Sequence, residues 1–367
     1  MTEQQALVLL NAIKITDARK LSALLDIFGS ASELIKDENL KKVASVSEFG
    51  MKLSQVIVKA KKKFDPALEI DKCAKKGIRL ISFFDEDYPI LLREIHDPPV
   101  MLYVKGALPK NEAVIAIVGS RKASAYGLET AHQFAEDLAK KNIVVISGMA
   151  LGIDTAAHYG ALRGKGKTIA VLGCGVDYGY PVANRKLSEN ISQNGAVVSE
   201  YPLGWRPTSF SFPKRNRIIA GFSKGVVVVE AAQRSGSLIT ARLALEEGRE
   251  VYSVPGRVDS KFASGTNNLI RQGAALAMNA AQVIEDLFPN NKTKINKKTQ
   301  MEIIETLGLS DIEKSIYDAI NSDSVAIDDL LCTLNFNRSS IFASLTKLEM
   351  KRAVKRLPGG TYARVGG

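Results

Sequence analysis

The chain has 367 residues, 46% apolar and 24% charged, with a formal net charge of +11 and three cysteines. That length suggests two or three domains, long enough to bury sizeable cores without staples, and its longest apolar runs are strand-sized, which excludes a transmembrane helix. The basic surplus points to a polyanion partner, while Cys73, Cys174 and Cys332, far apart and outside any C-x-x-C pair, point to a reducing, cytoplasmic setting.

No basic stretch precedes an apolar run at the start, so no secretory signal is read. Residues 1–75 read as a small all-α domain, of SAM or helix-hairpin-helix type. Leu21, Leu24, Leu25 and Phe28 recur at helical spacing and Gly29 ends the run. A second helix is expected near 31–35. A third runs from Leu53 to the basic end at Lys59, Lys61, Lys62 and Lys63, where cations suit a helix C-terminus as well as a ligand. Residues 78–106 form a bridge, broken by Asp87-Tyr-Pro89 and Asp97-Pro-Pro99.

From Val114 the pattern alternates. Apolar runs at 114–118, 143–146, 168–172, 196–199, 226–229 and 250–254 read as buried strands. Stretches 125–141, 153–163, 184–193 and 238–247 read as the helices between them. Repeated βα units from Val114 onward imply the α/β class, and residues 76–288 are read as one domain with an extended Rossmann-like, doubly wound parallel sheet. Residues 289–309 are a polar linker. Residues 310–367 hold three helices, at 310–320, 327–334 and 337–351, then a hairpin turning at Pro358-Gly-Gly360, the pattern of a winged helix.

Ligands of an open α/β sheet bind beyond the C-terminal ends of its strands. There the first strand is followed by Gly119, Ser120, Arg121 and Lys122. Gly119 permits a tight turn, the next N–H groups open a helix, and Arg121 can fork onto a phosphate; solvated charges on a plain βα turn are the alternative. Ser147-Gly-Met-Ala-Leu-Gly-Ile-Asp154 follows the second strand, its two glycines leaving room for a ligand or for helix–sheet packing. Asp154 fits a helix cap better than a base. Gly173 and Gly175 follow the third strand, then Tyr180-Pro181 and Asn184-Arg-Lys186. The segment Phe210-Ser-Phe-Pro-Lys-Arg-Asn-Arg217 interleaves Lys214, Arg215 and Arg217 with Phe210 and Phe212, the mixture a single-strand binder needs. Its alternative is a core role for the rings, with Arg215 and Arg217 paired to Glu200 and Glu230. Ser235, Gly236 and Ser237 open a helix, as an anion site or as a cap.

Enzyme patterns fail. Gly164-Lys-Gly-Lys-Thr168 would need glycine at Ala161 to be a P-loop, and it precedes a strand. His96, His132 and His158 stand apart, so no metal site, catalytic residue or cofactor is expected. His132 and His158 fall within helices, as packing or surface residues.

In order, the motifs resemble those of the DNA-processing protein A family (DprA, also called Smf). They are Val118-Gly-Ser-Arg121, Ser147 to Asp154, Val171-Leu-Gly-Cys-Gly175 with Tyr180-Pro181, and Ser199-Glu-Tyr-Pro202. Then come Phe212-Pro-Lys-Arg-Asn-Arg-Ile-Ile219, Val229-Glu-Ala231 with Ser235-Gly-Ser237, Val254-Pro-Gly256, Gly265-Thr-Asn-Asn-Leu-Ile270 and Gly273-Ala274. The resemblance implies single-stranded DNA binding without catalysis, a homodimer, and loading of RecA recombinase during natural transformation. It implies that Arg121 grips phosphate, that Lys186 and Lys214 add charge, and that Phe212 stacks on a base, with Phe210 the other candidate. Asn216 lies between Arg215 and Arg217 in the family's R-N-R motif, one arginine of which is a candidate for a structural role. Two rival readings are a phosphoribohydrolase-like enzyme, whose P-G-G-x-G-T-x-x-E loop is missing from Glu230 to Ser237, and a duplex-DNA regulator working through Arg338, Ser339 and Ser340 of the winged helix.

Overall fold

The computed structural model describes residues 1–14, 18–46, 48–110, 112–289, 309–320, 325–334, 336–351, 353–357 and 361–364. The chain divides into two units, Met1–Leu287 and Phe288–Gly367. Nearly all of the expected linker 289–309 and the expected turn at 358–360 lie outside the described residues.

Six helices open the larger unit: α1 (Glu3–Ala12), α2 (Ala18–Phe28), α3 (Ala31–Leu34), α4 (Asp37–Val46), α5 (Glu48–Lys61) and α6 (Pro66–Lys75). Local chemistry sets their ends. Thr2 and Gln5 form a capping box on α1, and Asp65 caps α6 with Pro66 in its first turn. Lys61, in the basic end of α5, pairs with Asp37 at 2.6 Å. These helices have no core to themselves. Leu7, Leu21, Leu34 and Ile57 pack in one cluster with Tyr103, Leu172, Ile191 and Val197 of the sheet and its helices. Residues 1–75 are therefore a helical layer on the α/β body.

The sheet has nine strands. β1 (Ile78–Ser82) and β2 (Met101–Gly106) flank α7 (Ile90–Glu94). There follow β3 (Val114–Val118), α8 (Ala125–Lys140), β4 (Val144–Ser147), α9 (Ile153–Arg163), β5 (Thr168–Leu172), α10 (Arg185–Gln193) and β6 (Gly195–Ser199). The remainder are α11 (Ser211–Phe222), β7 (Gly225–Val228), α12 (Gly236–Glu246), β8 (Glu250–Ser253), α13 (Ser264–Arg271), β9 (Ala275–Leu276) and α14 (Ala280–Leu287). Their order across the sheet is β1-β2-β6-β5-β4-β3-β7-β8-β9. From β6 to β9 all pairings are parallel; β2 runs antiparallel to β6, and β1 to β2. The parallel body matches expectation, and the antiparallel edge corrects it. Residues 78–106 carry two strands because their prolines fall between the strands. Successive strands step one way from β3 to β6, and then β7 pairs on the other side of β3, Val118 facing Val228. This reversal leaves a crevice beyond the ends of β3 and β7.

In the smaller unit, α15 (Asp311–Ala319), α16 (Ile327–Thr333) and α17 (Arg338–Met350) pack on a sheet of β10 (Val325–Ala326), β11 (Val354–Leu357) and β12 (Thr361–Arg364), ordered β10-β12-β11. Ile316, Leu330, Ile341, Leu345 and Tyr362 fill the core. This is the expected winged helix, with a third, two-residue strand that the sequence did not suggest. Among the described residues no helix is long and apolar enough to cross a membrane.

Candidate nucleic-acid interface

The crevice beyond β3 and β7 is a cleft of about 850 Å³. It gathers Gly119, Ser120, Arg121 and Lys122 from the turn after β3, and Ser235, Gly236 and Ser237 from the start of α12. Phe212, Arg215 and Asn216 of α11 form another wall. Segments more than a hundred residues apart in the chain thus meet at the switch point.

The turn after β3 is held from both sides. Ser120 N–H donates to the Glu230 carbonyl at 2.7 Å, and its own carbonyl accepts from Ile153 N–H at 3.2 Å. Gly152 is needed beside it, because its φ is +84° and a Cβ there would stand 2.3 Å from the Ser120 carbonyl oxygen. Arg121 is exposed, and its Cζ lies 5.2 Å from the centre of the Phe212 ring. Tyr180 packs on the same ring, centre to centre 5.6 Å. At α12 the Ser235 hydroxyl caps Ser237 N–H at 3.4 Å and the Ser235 carbonyl takes Leu238 N–H at 3.1 Å, which leaves Gly236 N–H for a ligand.

Arg215 and Arg217 are corrected from phosphate contacts to internal roles. Arg215 lines the cleft from beneath, but it is 4% exposed. Its guanidinium donates to the carbonyls of Gly148 (2.7 Å) and Val171 and to Asn216 Oδ1 (3.2 Å). Burial lowers its pKa to about 10 against the pull of Asp154. Arg217 is 7% exposed. It forks onto Glu200 at 3.1 and 2.9 Å and reaches Asp97 at 2.8 Å. Burial alone would raise the Glu200 carboxyl, but Arg217, then Lys14 and Lys214, hold it down to about 2. Glu230 pairs with neither Arg215 nor Arg217 and instead accepts from the N–H and hydroxyl of Ser124, just before α8.

The space over Gly148 is filled by the Arg215 guanidinium and the Asp154 carboxylate, and that over Gly152 by main-chain carbonyls. These two glycines serve packing, not a ligand. Asp154 lies inside the first turn of α9, where it accepts from Ala150 N–H at 3.2 Å. Burial raises its pKa and Arg215 opposes that. His158 is fully buried, bonded through Nδ1 to Thr168 at 2.8 Å, and burial pushes its pKa down to about 3.

Lys186, Phe210 and Lys214 are exposed and, like Arg217, fall outside the cleft lining. Phe210 is 85% exposed at the start of α11. The cleft also includes Ser209, Lys261 and Phe262, which the sequence reading missed. Lys261-Phe262 is a basic–aromatic neighbour pair like those of α11, and that was the available signal. Among the described residues no three His, Cys, Asp or Glu side chains gather to hold a metal ion.

Residues 79–288 match the family model described as DNA recombination-mediator protein A, and residues 305–360 that of the DprA winged helix domain. Protein Smf of Synechocystis is 34% identical over 355 residues, which is 88% of this chain and 89% of that one. The X-ray structure of DNA processing protein A from Streptococcus pneumoniae is 35% identical with a TM-score of 0.64, covering 77% of this chain and 97% of that one. A structure of DNA processing protein A from Helicobacter pylori, described for its unique single-stranded DNA binding mode, is 32% identical with a TM-score of 0.53. It covers 58% of this chain and 97% of that one.

Proposed function

Because the chain belongs to the DNA recombination-mediator protein A family, we propose that the cleft beyond β3 and β7 binds single-stranded DNA and carries out no catalysis. The observation that carries this reading is one cleft uniting the Arg121 turn, the α12 start and the Phe212 ring, with the arginine exposed over the ring. Arg121 forks onto one phosphate and the start of α12, through Gly236 N–H, takes another. Phe210 and Phe262, both exposed, stack on unpaired bases, at about 1–3 kcal/mol each. Lys122, Lys186, Lys214 and Lys261 supply a field that draws the strand in.

The single-strand binding mode described for the H. pylori relative supports the same ligand here. On the family resemblance, the bound strand is protected and handed to RecA recombinase during natural transformation, by a cytoplasmic homodimer. An enzyme reading is short of free acids, since Asp154 is held beside Arg215 and Glu230 is taken by Ser124. A duplex reading is short of cations, since the exposed face of α17 sets Phe342 and Met350 among Arg338 and Lys347.

Anisotropy titrations with labelled oligo-dT and with a duplex of equal length test the proposal. Preference for oligo-dT, lost in Arg121→Ala, is expected. Equal binding by both proteins, or tighter binding of the duplex, overturns it, as would release of adenine from AMP.

A further inference from the structure

We propose that a second base-binding subsite lies on the far side of the Arg121 turn, in the seam between α8 and α9, and takes the continuation of the same single strand. It rests on the reading of the first cleft as a single-strand site. Leu128 and His132 share a face of α8, and Thr155, Tyr159 and Arg163 share one of α9, by their spacing of three or four residues. These faces line a second cleft of about 1070 Å³. That is at the top of the roughly 300–1,000 Å³ usual for small ligands, room for more than a single base.

The seam has a firm floor. A Cβ on Gly160 of α9 would stand 2.1 Å from the His132 carbonyl oxygen, so the backbones approach as only glycine allows. Above that contact the side chains splay, leaving Leu128, Leu151 and Tyr159 exposed by 38, 49 and 48%. Arg121 and Lys122 line both clefts, so one turn of chain divides them. Leu151 adjoins Gly152, which abuts the Ser120 and Arg121 carbonyls. The mouth of the seam is thereby tied to the arginine that grips phosphate.

The occupant follows from charge and surface. Arg121 and Lys122 stand at the mouth. Arg163, its side chain 69% exposed although its Nε lies 3.5 Å from Glu136 Oε2, stands about 12 Å farther along α9 than Thr155. Glu129 is the acid among the lining groups. Cations at both ends of an apolar floor that carries a ring suit a strand whose phosphates pair and whose bases stack.

The test compares oligo-dT of about 4 and about 16 nucleotides, the span of single-strand sites, on the full chain. Tyr159→Ala should bind the long oligomer about tenfold more weakly, the loss of one stacked base, and the short one as wild type does. Tyr159→Phe, which keeps the ring, should restore the long-oligomer affinity. Leu151→Asp, a carboxylate at the mouth, should reproduce the length-dependent loss. If Arg121→Ala weakens both lengths while Tyr159→Ala and Leu151→Asp bind both like wild type, the subsite falls and the first cleft stands. Equal loss on both lengths in Tyr159→Ala, or altered self-association without altered DNA binding, also overturns it. If Arg121→Ala changes neither length, it is the first cleft that fails.

Discussion

Replacing Arg217 by alanine should destabilise the larger unit and leave the exposed DNA contacts in place. The Arg217 side chain is 9% exposed and that of Glu200 is 4% exposed. Removing the guanidinium strands a carboxylate away from water, and Lys14 does not replace it, because its ammonium donates to the Glu200 backbone carbonyl. Breaking such a buried pair costs about 3–5 kcal/mol. For the unit Met1–Leu287, an unfolding entropy of about 0.6 kcal/mol/K turns this into a fall in Tm of roughly 5–8 °C. Circular-dichroism melts measure it directly. Adding Glu200→Gln to Arg217→Met should recover much of the loss, because the carboxylate that loses its partner is then neutral.

The same pair sets an acid limb. The Glu200 carboxyl is held down from 4.5 to about 2 in the fold. Its contribution is therefore complete above pH 4.5 and is lost as the pH falls through about 2. Glu200→Gln should flatten that limb. If Arg217→Ala melts with wild type yet loses oligo-dT affinity, its guanidinium meets phosphate and the buried-pair argument is wrong.

Gly152→Ala should weaken oligo-dT binding although it removes no charge, since its Cβ meets the Ser120 carbonyl and pushes the Arg121 turn; wild-type affinity would show that the turn is set elsewhere. Phe210→Ala should cost roughly 1–3 kcal/mol of binding with no change in melting, whereas Phe212→Ala should lower both, because its ring packs on Tyr180 and under Arg121. Matched melting curves for the two variants would reject that division. Arg121→Ala should reduce the slope of log affinity against log salt by about 0.7; an unchanged slope means Arg121 touches no phosphate.

The parallel body could be read from sequence because buried parallel strands are unbroken apolar runs, as Val114–Val118 is at all five positions. Arg79 and Lys105 interrupt that pattern in β1 and β2, which lie at or next to the sheet edge. Helix α11 was hidden by Arg215 and Arg217. A charged side chain looks solvated until its partners are known, and Asp97 lies 120 residues from Arg217. The turns holding Gly119–Lys122 and Ser235–Ser237 were legible because strand ends locate clefts. Lys261 and Phe262 offered only a short basic–aromatic pair, since it takes the pairing of β8 with β7 to carry the loop after β8 to the cleft.

The antiparallel edge also sets a timetable for synthesis. Strand β2 docks on β6, with Tyr103 opposite Ser199, and the six opening helices bury Leu7, Leu21 and Leu34 together with Leu187, Ile191 and Val197. At a ribosomal pace of about 5–20 residues per second, that strand is made roughly 5–20 s after β2. Through this interval the nascent amino-terminal third keeps greasy helix faces uncovered, a target for chaperones. A ribosome stalled just short of codon 199 should hold a protease-sensitive chain, and one stalled well beyond 287 a resistant one. The first segment to be translated is thus among the last to settle.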